Sequence, residues 1–155
     1  MQSFRITDVK GFMAALLTKD AFDDFLLVEA TVHNRIAYVI DGHMAGDEKS
    51  CIPYAEVRSL IFDMIKGKQT PEFFQFVLQL PPDQKEKLID DSDVVLQAAD
   101  VLSLSMNIRY QNGELTVMTG TSLRIFTVDR SLEKQWDQWV RSRLNAMNLA
   151  FDEVI

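Results

Sequence analysis

Cysteine is nearly absent from this chain. Cys51 stands alone, so no internal disulfide can staple the fold, and the composition is compatible with a reducing compartment. Long apolar runs are missing as well: no stretch approaches the roughly 18 uninterrupted apolar residues of a membrane-spanning helix. Thr7, Asp8 and Lys10 interrupt the opening residues, which therefore lack the basic-then-apolar pattern of a secretory signal. The expectation is a cytoplasmic protein with no membrane contact. Basic residues are in deficit, 16 against 23 acidic ones. The resulting formal charge of −7 argues against a chain whose main task is binding nucleic acid or anionic lipid through bulk electrostatics. Histidine occurs only as His33 and His43, with neither an HExxH nor a paired CxxC, so the strong metal signatures are lacking. No repeat, low-complexity tract or linker divides the 155 residues, which suffice for one core; a single domain spanning 1–155 is expected.

What is present is a long alternating stretch from Val101 to Val128. Leu102, Leu104, Met106, Ile108 and Tyr110 alternate with Ser103, Ser105, Asn107 and Arg109, the period of a strand with one face buried. Asn112-Gly113 supplies the two positive-φ residues of a type I′ hairpin, which sets Tyr110 opposite Leu115, Arg109 opposite Thr116 and Ile108 opposite Val117. Reading Gly120-Thr121-Ser122 as a three-residue loop adds a third strand, with Val117 opposite Ile125 and Thr119 opposite Leu123. Phe25–Val32 and Ile36–Ile40 read as another hairpin, with Leu26, Val28, Ala30 and Val32 on one face and Phe25, Leu27, Glu29, Thr31 and His33 on the other. Phe73 to Leu80 is a further strand, stopped by Pro81-Pro82. The stretch 41–50 reads as a loop.

Helical spacing marks Asp8–Thr18, capped by Thr7, and a second helix from Pro53 to Lys66 with Tyr54, Val57, Leu60, Ile61, Met64 and Ile65 on its stripe. Gly67, Lys68 and Pro71 punctuate its end. Asp83–Ile89 is a short helix. A long final helix carries Leu132, Trp136, Trp139, Val140, Leu144 and Met147 on one side, with Asp129 or Ser131 as its cap, and the tail Phe151–Ile155 is an edge strand or frays. Together these predict an α+β fold, an antiparallel sheet of about six strands with two or three helices packed on one face.

The densest set of chemically able side chains is His33, Asp41, His43, Asp47, Glu48 and Cys51. Asp41, His43 and Cys51 could offer carboxylate, imidazole and thiolate to zinc, or His43 could serve as base to a Cys51 nucleophile ahead of a helix. His33 and Asp41 lie most of a strand apart, so loop polarity is the better account, and no metal or cofactor is expected. The Lys66–Thr70 segment follows a helix instead of opening one, the wrong place for a phosphate loop. The polar face of the central sheet, with Asn107, Arg109, Thr116, Met118, Arg124 and Phe126, would suit an acidic partner or a nucleic-acid strand. Trp139, beside Asp137 and Arg143, is expected to be partly exposed.

The segments ITDVKGFMAALL, FDDFLLVEATV, IDGHM, IKGKQTP and NIRYQNGELTVMTGTSLRIFTVDRSLE, followed by WDQWV, cover most of the chain. In them it resembles a family of uncharacterised bacterial proteins, a domain of unknown function with no assigned activity. That resemblance implies membership and no chemistry. The leading expectation is therefore a non-enzymatic protein-interaction or self-associating module, a homodimer covering Phe73, Val77, Trp139 and the tail. A small enzyme using the His33–Cys51 region is the first alternative, and single-stranded nucleic-acid binding through Arg109, Arg124 and Phe126 the second.

Overall fold

The computed structural model describes residues 1–44, 47–67 and 70–154, the side chains of 47–49 excepted; Lys68 and Ile155 lie outside the described residues. In chain order the elements are β1 (Ser3–Ile6), α1 (Val9–Leu17), β2 (Leu26–Asn34), β3 (Ile36–Asp41), β4 (His43–Met44), β5 (Asp47–Pro53), α2 (Tyr54–Ile65), β6 (Phe73–Gln79), α3 (Pro82–Asp90), β7 (Val101–Gln111), β8 (Glu114–Leu123), α4 (Ser131–Ala146) and β9 (Phe151–Val154). The fold is α+β. The strands pair antiparallel in the order β4-β5-β2-β6-β7-β8-β1-β9, with β3 also on β2. Nine strands and four helices are found among the described residues, against the six and the two or three expected. The added strands β1, β4, β5 and β9 are short or lack alternation, so the period-two pattern does not reveal them.

The β7–β8 hairpin follows its turn chemistry. Asn112 and Gly113 sit at φ 54° and 77°, and Arg109 pairs with Thr116, Ile108 with Val117 and Tyr110 with Leu115. The third strand is a correction. β8 runs straight through Gly120 to Leu123, with Gly120 opposite Ser105 and Thr121 opposite Leu104. The place beside β8 is taken by β1, Phe4 opposite Val117 and Ile6 opposite Leu115. Two bulges also shift faces. One between Leu27 and Glu29 puts Leu27 with Ala30 and Val32 in the core and leaves Val28 half-buried; one between Val101 and Ser103 buries Val101 and exposes Leu102.

The stretch read as a loop, 41–50, instead adds β4 and β5 at a branch point. β3 pairs with the Glu29–Asn34 half of β2 and β5 with Leu26 and Leu27, on the same side. Gly42 joins the two: its N–H donates to the Val28 carbonyl at 2.9 Å, and its own carbonyl accepts from Ile52 at 2.8 Å. A Cβ there would stand 1.8 Å from the Leu27 carbonyl oxygen. Only glycine permits that approach.

The helices bury their apolar stripes against the sheet face bearing Phe4, Leu27, Phe76, Leu78, Met106, Ile108 and Val117. Trp136 is fully buried and donates its indole N–H to the Ser105 carbonyl at 2.9 Å; Tyr54, buried at the start of α2, donates its hydroxyl to the Leu16 carbonyl at 2.7 Å. On α1 the cap is Asp8 rather than Thr7, its carboxylate accepting from the Gly11 N–H at 3.0 Å. On α2, Leu60 is half-exposed while Phe62 packs on the core, so the stripe is rotated from the one expected. The tail is an edge strand: β9 pairs with β1, and Phe151 meets the Phe4 ring edge-on at 5.3 Å. Among the described residues no helix is long and apolar enough to cross a membrane.

Candidate interaction surface

The sheet face away from the helices is the wet one, and its register can be read straight across. One row runs Asp41, Glu29, Val77, Asn107, Met118, Ser3, Val154 and the next Val39, Thr31, Gln75, Arg109, Thr116, Arg5, Asp152. Seven strands make it about 30 Å wide. Asn107 and Arg109 belong here. Arg109 donates to Gln111 at 2.8 Å and lies over the Phe73 ring at 5.5 Å, while the buried Asn107 Oδ1 accepts no hydrogen bond among the described residues. Charges are already paired along the row, Arg5 with Asp152 at 3.0 Å.

Arg124 and Phe126 do not share that face. Because β8 ends at Leu123, they fall in an irregular loop of residues 124–130 leading to α4. Both ends of this loop are tied. The Arg124 N–H donates to the Asp100 carbonyl at 2.8 Å and its Nε to the Ala99 carbonyl at 3.2 Å. Asp129 accepts from the Ser131 N–H at 2.9 Å and from its hydroxyl at 3.0 Å. Arg130, not Asp129 or Ser131, holds the α4 cap position and makes no capping bond with its side chain. Between the ties Phe126 is 93% exposed, Val128 86% and Ile125 44%. Burying a side chain of this size stabilises by roughly 1.5–3 kcal/mol, a gain this loop forgoes.

Trp139 lies elsewhere again, in a cleft of about 480 Å³ between α3 and α4, lined by Gln84, Lys87, Leu88, Asp91, Ser92, Gln135, Gln138, Trp139 and Ser142. It is half-buried, as expected. Its ring stacks on Trp136 at 5.2 Å, meets Phe25 edge-on at 5.8 Å and lies under the Arg143 guanidinium at 5.4 Å. Arg143 is fixed in turn by Asp24 at 2.6 Å and the Ala21 carbonyl at 2.9 Å. Unlike that of Trp136, the Trp139 indole N–H makes no hydrogen bond among the described residues.

The Asp41–Cys51 region is partly assembled. His43 Nδ1 and its backbone N–H both lie on Asp41 Oδ1, at 2.6 and 3.0 Å, and these contacts hold the carboxyl below its usual range. His43 is also the register partner of Cys51. Yet desolvation, and then the nearby Asp41 charge, push the Cys51 thiol up, the opposite of what activates a nucleophile. His33 is not part of the group: it stands on the wet face against Phe73 at 5.2 Å. The side chains of Asp47 and Glu48 lie outside the described residues. Among the described residues no three His, Cys, Asp or Glu groups are placed to hold a metal.

Against known proteins, residues 15–152 match the model of a family described as a family of unknown function, DUF5721. The chain belongs to this family. No curated protein and no solved structure matches it. The span shared with DUF5721 contains the 124–130 loop, the α3–α4 cleft and the wet face from β3 to β8, but not β1, which completes the sheet between β8 and β9. Sequence reasoning missed Val128 and Ile125 as surface residues, together with the α3 wall of the cleft. The available signal was the run Ile125-Phe126-Thr127-Val128 between two arginines, apolar enough to pass for a strand.

Proposed function

We propose that this chain is a single-domain, non-enzymatic interaction module of the bacterial cytoplasm, and that its docking element is the loop of residues 124–130. The observation that carries this reading is the exposure of Phe126 and Val128, 93% and 86%, on a loop tied at both ends. Exposed apolar groups on a fixed frame are what hot spots at protein interfaces are made of, and preorganisation lowers the entropy lost on docking. Arg124 and Arg130 flank the tip and favour an acidic rim on the partner. The formal charge of −7 counts against a nucleic-acid partner, and the raised Cys51 thiol counts against thiol catalysis. The lone cysteine agrees with a cytoplasmic setting.

The test is a photoreactive residue introduced at position 126 in cells, with the exposed Lys10 position of α1 as control. Protein adducts at 126 and none at 10 are expected. Their absence from 126 would overturn the reading.

A further inference from the structure

The loop and the α3–α4 cleft are neighbours. The loop runs directly into α4, whose residues Gln135, Gln138 and Trp139 form one wall, and Arg124 lies close enough to Lys85 of α3 for its charge to be felt there. Loop tip and cleft centre are separated by about two turns of α4. Within one molecule they cannot meet, because the loop is tied to residues 99 and 100 at one end and to the helix start at the other.

Resting on the reading of the loop as a docking element, we propose that its partner is a second copy of this chain, with Phe126 and Val128 of each copy seated in the α3–α4 cleft of the other. Three features fit this occupant. The cleft, about 480 Å³, is of the size that receives small-molecule ligands and has room for both side chains, with Leu88 and Trp139 as its apolar lining and the indole N–H of Trp139 available to a loop carbonyl. Asp91 lines the cleft with Lys87, and Asp90 and Asp93 adjoin Asp91 in the chain to leave this end of α3 net acidic, while the loop brings Arg130, whose side chain is 79% exposed and whose nearest carboxylate, on Glu133, is 3.8 Å away. The exposed α4 positions at the cleft, Gln135, Gln138 and Ser142, are uncharged, so two α4 helices can approach without like-charge repulsion despite the acidic total. Antiparallel apposition of the two α4 helices about a two-fold axis makes both insertions at once, the self-complementary arrangement of a closed dimer.

Sedimentation velocity on the full chain tests this. The wild type should sediment as a dimer. Phe126→Asp with Val128→Asp removes the knob, and Gln138→Trp fills the cleft from an exposed helix position; each should weaken association roughly thirtyfold or more while leaving the circular dichroism unchanged. Mixing the two variants should restore a weaker heterodimer, because one intact loop meets one intact cleft. Phe126→Cys mixed with Ser142→Cys should form a disulfide between copies. A monomeric wild type, or a dimer indifferent to both variants, overturns the proposal. If the monomer still crosslinks from position 126 to another protein, the docking loop survives and the second copy does not; if it crosslinks to nothing, both fail.

Discussion

At the start of β8 the pair Asn112-Gly113 turns the chain with φ of 54° and 77°, whereas Gly120, near its other end, stays inside the strand and pairs with Ser105. The local chemistry is similar, a glycine among small polar residues, but the physical needs differ. Gly113 is required for a backbone shape. Gly120 has no positive φ and answers to a neighbour instead: a Cβ there would come 3.0 Å from Ser105 Oγ. Gly42 is the extreme of that second kind, facing a backbone carbonyl that cannot move aside. A glycine therefore signals a turn only where the backbone must go left-handed; elsewhere it marks a close approach that one strand alone does not disclose.

Substitutions can break this ranking. Gly42→Ala should be the most damaging, at least about 3 kcal/mol in denaturant unfolding, because β3, β5 or β2 must shift to admit the methyl group. A loss below that of Gly113→Ala would refute the account of the branch point. Gly113→Ala should cost about 1–2 kcal/mol, the penalty of a Cβ in left-handed backbone. Gly120→Ala should cost less, about 0.5–1 kcal/mol, since Ser105 can rotate away. In a Ser105→Ala background that cost should vanish, and a double-mutant cycle measures the coupling; a full cost persisting there would mean Gly120 is needed for its backbone after all. Phe126→Asp should change stability by no more than about 0.5 kcal/mol, because the ring touches little in the isolated chain. A large loss at dilutions where the chain is monomeric would show that the loop packs on its own molecule.

What could be read from the residues follows the same division. The β7–β8 register, β6, α3 and the buried side of α4 were legible because alternation, helical spacing and a positive-φ turn are local properties. The continuation of β8 was not, since Gly120-Thr121-Ser122 has the composition of a hairpin loop and is kept straight by pairing with Ser103–Ser105 of β7, a contact its own residues do not display. The candidate site scattered for that reason. Asn107 and Arg109 share the wet face as expected, but moving the end of β8 to Leu123 carried Arg124 and Phe126 off it, and Trp139 belongs to the helix side. Gly42 falls inside the 41–50 stretch that reads as a loop, and its role is hidden there because the carbonyl it must clear belongs to Leu27, fifteen positions earlier.

The placement of β1 between β8 and β9 has a temporal consequence. Ser3–Ile6 is made before its partner on β8, Leu115–Met118, which is more than a hundred residues further along the chain. On the ribosome these residues have no sheet to join until the β7–β8 hairpin has emerged. Closing so long a loop slows folding, so the hairpin forms as a local event and the first strand is recruited to it afterwards. Phe4, fully buried in the finished fold, must wait for Val117 before it can be covered. This chain thus offers Phe4 and Ile6 to chaperones until the β7–β8 hairpin has been made.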